Sequence, residues 1–101
     1  MMFVKLIETE LHLKVIKEFQ FNPNRKWKAD YYIPELNLLI EQEGGVYTRQ
    51  AHGSISGILR DIEKYNSATQ LGYKILRFTP KQLYTMEALD AIREIAKLKT
   101  V

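Results

Sequence analysis

The sequence predicts a small α/β domain in which a mixed β-sheet is flanked by helices. Three observations predict this class. Short apolar blocks lie between turn residues such as Pro23 and Pro34, as is typical of strands. Two later segments, around Ile62 and Leu89, instead repeat apolar residues at helical spacing. Their order along the chain favours an antiparallel three-strand meander, followed by a crossover helix, one further strand and a last helix.

Composition favours one folded unit and excludes several kinds of site. The chain has 101 residues, of which 46% are hydrophobic, so we expect a single domain over residues 1–101. Cysteine is absent, which excludes disulfides and thiolate zinc sites. No apolar run reaches membrane-spanning length and the first residues lack a signal-peptide pattern, so we expect a cytoplasmic protein with no membrane partner.

The first half of the chain predicts a short helix and the meander. Residues 1–13 have apolar residues at the spacing of a short helix. Residues 14–21 alternate, which predicts a first strand with Val15, Phe19 and Phe21 on one side. After a turn, residues 27–33 form the second strand. A further turn from Pro34 to Asn37 leads into the third strand, over residues 36–43.

The second half predicts the crossover and the C-terminal helix. Residues 44–57 are interpreted as a long loop, of the kind that is often functional in small domains. A helix capped by Ser54 or Ser56 then runs to about Leu71, and Gly72 ends it. Its apolar stripe consists of Ile58, Ile62, Tyr65 and Thr69, with Leu59 and Ala68 at the margin. Residues 73–78 form the fourth strand, and a single last helix begins at Thr79–Pro80.

Three acids are expected to meet at one edge of the sheet. Glu41 and Glu43 alternate in the third strand and therefore point the same way. Pairing of the second and third strands would bring Asp30 close to them. Such carboxylates repel one another unless a cation lies between them, and their oxygens suit Mg²⁺ or Mn²⁺. The alternative is that Glu41 and Glu43 form the solvent face of a half-buried strand.

Basic residues flank these acids on both sides. The chain has a formal net charge of +3. Arg25 and Lys26 precede the acids, and Arg49 and His52 follow them. Acids with basic flanks suit a site that holds a metal and contacts phosphates. The alternative for these basic residues is ordinary solvated surface. Trp27 and Tyr47 could stack on bases, although aromatic residues in such places more often pack against the protein.

The ordered motifs RKWKAD, IEQEGGVY, a histidine, DIEKYNSA and LGYKILRFT resemble the restriction-endonuclease-like (PD-(D/E)xK) superfamily. The similarity is greatest to its small very-short-patch-repair-like and phage-borne members, and it covers about residues 18–79. The resemblance implies a mixed sheet flanked by helices, the same fold class as the residue patterns predict. It matches Asp30 to the first motif acid and Glu41 to the second.

One position departs from the family pattern. Glu43 stands where the motif lysine is expected, and the resemblance implies that Lys64 on the following helix replaces that lysine. The alternative for Lys64 is an exposed helix lysine that pairs with a neighbouring acid such as Asp61. His52 has three interpretations: a general acid, a phosphate contact, or a loop residue without a role.

The resemblance implies a Mg²⁺- or Mn²⁺-dependent deoxyribonuclease, an endonuclease that hydrolyses phosphodiester bonds in DNA. Asp30, Glu41 and Glu43 would hold the metal, and Lys64 and His52 would assist the reaction. Arg25, Lys26 and Arg49 would contact the DNA backbone. A homodimer would allow both strands to be cut. The alternative function is a non-catalytic nucleic-acid-binding module of the same fold, which the glutamate at position 43 leaves open.

Overall fold

The computed structural model describes residues 2–43 and 55–99. Four strands and four α-helices follow one another in these ranges: α1 (Met2–Leu11), β1 (Ile16–Phe19), β2 (Ala29–Ile33), β3 (Leu38–Gln42), α2 (Ile55–Gln70), β4 (Lys74–Phe78), α3 (Pro80–Tyr84) and α4 (Met86–Lys99). A short 3₁₀ turn, Pro34–Leu36, joins β2 to β3. None of the helices in the described part of the chain is long and apolar enough to cross a membrane.

The strands form one mixed sheet in the order β1-β2-β3-β4. β1 pairs antiparallel with β2, and β2 pairs antiparallel with β3. β3 pairs parallel with β4, and Glu41 lies opposite Arg77 in that register. The predicted meander plus crossover strand is therefore confirmed. Because β3 and β4 run parallel, α2 belongs to the chain segment that returns from the end of one strand to the start of the other.

β3 is the central strand of the core and is buried on both sides. Leu38 and Ile40 belong to the larger apolar cluster, which also contains Ile7 of α1 and Leu89 of α4. Leu39, with the opposite orientation, belongs to a second cluster with Ala68 of α2. Glu41 shares the strand phase of Leu39, so its side chain points to the α2 side of the sheet.

The first strand departs from the predicted alternation. β1 is limited to Ile16–Phe19, and Glu18 within it has a positive φ of 53°. Val15 packs in the α1 and α4 cluster, whereas Phe19 and Phe21 pack in the α2 cluster. The prediction that Val15 shares a side with the two phenylalanines is therefore wrong. The left-handed backbone at Glu18 interrupts the period of two on which that prediction depended.

The predicted single C-terminal helix is two helices, α3 and α4. Thr79 caps α3 reciprocally with Gln82, as the Thr-Pro start predicted. Thr85 then adopts an extended conformation and its amide donates to the Gln82 carbonyl. The Thr85 hydroxyl oxygen accepts a hydrogen bond of 3.3 Å from the Glu87 amide and so caps α4. Capping at Thr85 explains why a continuous apolar spacing is divided into two helices.

α2 ends as predicted, but it does not pack on the sheet through its predicted apolar stripe. Gly72 has a φ of 92°, the left-handed conformation that glycine adopts readily after a helix. Ala68 is the buried residue of α2. Ile58, Leu59 and Ile62 stay largely exposed, at 45%, 59% and 51%. The side of α2 that faces the sheet therefore carries Lys64 and Ala68, and Thr69 of the predicted stripe is exposed like Ile58 and Ile62.

Candidate active site

The sheet register brings Asp30 and Glu41 together. Tyr31 of β2 pairs with Ile40 of β3, and the same register places Asp30 opposite Glu41 on the neighbouring strand. Side chains at opposed positions of antiparallel strands lie on the same face. The two carboxyl groups are close enough to share a hydrogen-bonding contact. Asp30 Oδ2 also accepts a hydrogen bond of 2.7 Å from the amide of Gln42, which fixes its position beside β3.

Glu41 is a buried acid with an altered proton affinity. The residue is 6% exposed, the one charged residue among the buried residues of ranges 2–43 and 55–99. Burial raises the pKa of the Glu41 carboxyl to about 7, from an ordinary value of 4.5. The Lys64 ammonium group opposes this rise, and the Asp30 carboxyl adds to it. A site that makes a carboxylate costly to ionise is a common feature of functional centres.

Lys64 reaches this pair from the crossover helix. Its Nζ lies 2.7 Å from Glu41 Oε1, and only 16% of its side chain is exposed. The same ammonium group donates a hydrogen bond of 3.0 Å to the main-chain oxygen of Lys28, just before β2. The alternative that Lys64 is an exposed helix lysine paired with Asp61 is therefore wrong. Asp30, Glu41 and Lys64 form one cluster, which we call the acid–lysine cluster, while their chemical roles stay predictions.

Glu43 lies beside this cluster in a separate ion pair. Its Oε1 accepts a hydrogen bond of 2.6 Å from Nε of Arg77, on β4. The hydroxyl of Tyr65 donates a longer one, of 3.4 Å, to the same oxygen. Within the part of the chain that the structure describes, no group of three or more acidic, histidine or cysteine residues is placed to hold a metal ion. The predicted role of Glu43 as a metal ligand therefore stays a prediction.

Tyr65 and Arg77 belong to the site although they were not predicted from the sequence. The Arg77 guanidinium lies 4.3 Å from the centroid of the Tyr65 ring, and Lys64 Nζ lies 5.7 Å from it. Burial raises the pKa of Tyr65 well above its ordinary value, and the charges of Glu41 and Glu43 raise it further. The hydroxyl is therefore a neutral hydrogen-bond donor. The position of Arg77 opposite Glu41 follows from the parallel pairing of β3 and β4, which could have identified it.

The predicted basic residues are only partly described. Arg25 forms an ion pair with Glu63 of α2, and its guanidinium lies 3.7 Å from the centroid of the Trp27 ring. Lys26 is exposed. Arg49 and His52, like Tyr47, lie outside the described residues, so their predicted roles stay predictions.

The geometry thus consists of two strand acids in contact, one helix lysine on the buried acid, and an adjoining Glu43–Arg77 pair. Two carboxylates and an ammonium group in contact can hold a cation and balance charge on a bound anion. Three of the predicted site residues, Asp30, Glu41 and Lys64, are the members of the acid–lysine cluster. Comparison with protein-family models, curated protein sequences and solved structures found no match to this chain.

Proposed function

We propose that this protein is a metal-dependent endonuclease that hydrolyses phosphodiester bonds in DNA. The observation that carries the proposal is the contact of Lys64 with the buried Glu41, next to Asp30. These three residues come from two strands and a helix, and the family resemblance implies a role for each of them. Burial and the neighbouring Asp30 make ionisation of Glu41 costly, an arrangement that is common in functional sites.

The donor set of the acid–lysine cluster fits Mg²⁺ or Mn²⁺. Both cations prefer oxygen ligands, and Mg²⁺ is commonly held by one or two carboxylates together with substrate phosphates. Asp30 and Glu41 supply two carboxylates in contact. The raised pKa of Glu41 means that burial makes its ionised form unfavourable. A bound cation would stabilise that ionised form. The fit therefore requires no third acid from the protein, and Glu43 would support the site through Arg77.

In the proposed mechanism, Asp30 and Glu41 would hold the cation where the start of β2 lies beside the end of β3. A bound divalent cation would polarise the phosphate and lower the pKa of a water molecule. Lys64, which Glu41 and the Lys28 carbonyl hold in position, would balance negative charge that develops on the phosphate. Lys26 and Arg25 would contact neighbouring phosphates of the DNA backbone, which gives affinity with little sequence preference.

The direct test is a cleavage assay with purified protein on linear, nicked, branched and single-stranded DNA. We expect cleavage with Mg²⁺ or Mn²⁺ and none with EDTA, because the acid–lysine cluster needs a cation for the reaction. A matched RNA panel tests whether the substrate is DNA. Cleavage that persists in EDTA, or no cleavage of any substrate with either metal, would contradict the proposal.

The Glu43–Arg77 ion pair favours a second candidate, a non-catalytic nucleic-acid-binding module. Glu43 stands at the position of the motif lysine and is engaged by Arg77 with an Nε–Oε1 distance of 2.6 Å. A module that has lost catalysis could keep this pair as a structural contact. It would bind DNA in a salt-sensitive manner and show no metal-dependent turnover, so the same assay separates the two functions.

Replacing Lys64 with methionine should lower cleavage by roughly 100-fold, since the ammonium group would act mainly on charge in the transition state. DNA affinity in EDTA should change much less, because Lys64 is already engaged by Glu41 and the Lys28 carbonyl. Single-turnover rates and fluorescence anisotropy measure the two effects, and circular dichroism checks the fold.

Lys81 is a matched control for this variant, because it is an exposed lysine on α3. Lys81→Met removes the same charge and should keep the wild-type cleavage rate. If Lys64→Met instead keeps its cleavage rate and loses affinity at raised salt, Lys64 is a phosphate contact and not a catalytic residue.

A further inference from the structure

A surface cleft lies on α2 beside the acid–lysine cluster. Its volume is about 370 Å³, at the lower end of the range for small-ligand sites. Five of its lining residues come from successive turns of one face of α2, and the sixth comes from β4: Ile58, Asp61, Ile62, Tyr65, Asn66 and Arg77. We call this the α2 cleft. None of the residues of the acid–lysine cluster lines it, so the α2 cleft is separate from that cluster.

Tyr65 and Arg77 connect the α2 cleft to the acid–lysine cluster. The Tyr65 hydroxyl lies 3.4 Å from Glu43 Oε1. The charge of Glu41 contributes to the raised pKa of Tyr65. Arg77, at the border of the cleft, is held by Glu43 and covers part of the Tyr65 ring. Tyr65 and Arg77 therefore join the α2 cleft to Glu43, which lies two residues after Glu41.

The lining of the α2 cleft combines flat apolar surface with hydrogen-bonding groups. Ile58 and Ile62 are 45% and 51% exposed, which is costly for two large aliphatic residues on adjacent turns. Asp61 offers an acceptor, and Asn66 offers both a donor and an acceptor. Arg77 lies at the border, where Glu43 pairs with its guanidinium. A nucleobase has the matching properties: two apolar faces and a hydrogen-bonding edge.

Two other clefts of the described structure match a nucleotide less well. In the cleft between α2 and the turn before β2, Arg25 is paired with Glu63 and covers Trp27, and Asn22 donates to Ser67. Trp27 is the one apolar residue in its lining, so this cleft lacks the exposed aliphatic pair of the α2 cleft. In the cleft beside α4, the ammonium groups of Lys74 and Lys99 donate to main-chain carbonyls of the 3₁₀ turn.

We propose that the α2 cleft binds one unpaired nucleobase of the DNA strand that is cut. This inference rests on the proposed nuclease function, and it specifies the substrate class as DNA with unpaired nucleotides, such as single strands, flaps or branch points. A base inside a duplex is stacked and paired, so it reaches such a cleft only after it has left the helix. The base would pack on Ile58, Ile62 and Tyr65, and its edge would meet Asp61 and Asn66.

The test compares two single strands in EDTA, where the proposed cleavage does not occur: a labelled oligothymidylate and an abasic strand of the same length. Both carry the same backbone charge, so the ratio of their affinities isolates the bases. We expect fluorescence anisotropy to show about tenfold tighter binding of the oligothymidylate by the wild-type protein. In the double variant Ile58→Ser/Ile62→Ser this ratio should fall to about one.

Leu59 gives a matched control, because it is 59% exposed on the same helix and does not line the cleft. Leu59→Ser should keep the tenfold ratio. As a second measurement, oligothymidylate should shift the ring resonances of Tyr65 in NMR spectra, and the abasic strand should not. Circular dichroism verifies that each variant is folded.

The proposal is overturned if the wild-type protein binds both strands equally, or if Leu59→Ser loses the preference as fully as the double variant. Metal-dependent cleavage without a base preference would overturn the cleft assignment and leave the nuclease function standing. A base preference without metal-dependent cleavage would overturn the nuclease function and leave the cleft assignment standing. The α2 cleft would then belong to a nucleic-acid-binding module.

Discussion

Replacing Asp30 with asparagine should lower the rate of metal-dependent DNA cleavage by roughly 10³-fold, which corresponds to about 4 kcal/mol at the transition state. Asp30 Oδ2 accepts a hydrogen bond of 2.7 Å from the Gln42 amide. Asparagine keeps an oxygen that can accept this bond, so the variant mainly removes a negative charge beside Glu41. Because the negative charge of the carboxylates largely holds a divalent cation, the variant should lose both affinity for the metal and cleavage rate. Initial rates on plasmid DNA over a Mg²⁺ titration separate these two losses.

Asp90 provides a matched control for the Asp30 variant. It lies on α4, its side chain is 62% exposed, and it pairs with Arg93 at 3.1 Å. Asp90→Asn makes the same change of charge far from the acid–lysine cluster and should leave the rate unchanged. If folded Asp30→Asn cleaves as fast as the wild-type protein, the assignment of the active site is wrong.

Metal-free protein should lose up to about 3 kcal/mol of unfolding free energy as the pH rises from 4.5 to 8. The pKa of Glu41 is about 7 in the folded protein and has an ordinary value of 4.5 in the unfolded chain. Between these values the folded state binds the proton and the unfolded state does not. Protonation of Glu41 therefore stabilises the fold fully below pH 4.5, and this stabilisation is lost as the pH rises through 7.

Urea unfolding in EDTA at a series of pH values measures this effect, and Glu41→Gln identifies its source. Glutamine cannot ionise, so the variant should lack the part of the pH slope that Glu41 causes. Saturating Mg²⁺ should reduce the slope in the wild-type protein, since it binds the ionised form of the acid. Equal slopes in the wild-type protein and in Glu41→Gln would show that the altered acid is a different residue.

The features predicted best from the sequence are those that depend on a short period along the chain. The alternation in β3 places Glu41 on the side of Leu39, and helical spacing places Lys64 one turn before the buried Ala68. Together with the antiparallel pairing of β2 and β3, the strand period is sufficient to bring Asp30 and Glu41 together. The helical spacing predicted Ile58 and Ile62 as the packed face of α2, so the role of Lys64 depended on the family resemblance. The parallel position of β4 followed from the helix that precedes it.

The remaining features depend on contacts between distant segments or on single backbone angles. Arg77 engages Glu43 only because β4 lies beside β3, and no local pattern marks that pair. The positive φ of Glu18 and the cap at Thr85 each depend on the conformation of a single residue, and each ends a hydrophobic period that continues in the sequence. The exposure of Ile58 likewise reflects where α2 rests on the sheet, not the apolar spacing itself.

The ion pair between Lys64 and Glu41 has a consequence for any attempt to engineer this fold. Exchanging a sequestered ion pair for well-fitted aliphatic side chains often makes a protein more robust. Here that exchange would add apolar packing between α2 and the sheet, where Ala68 is the buried residue of the helix. It would also abolish the proposed chemistry, because it removes Lys64 and Glu41. Replacing these two side chains would therefore raise thermal stability and remove turnover.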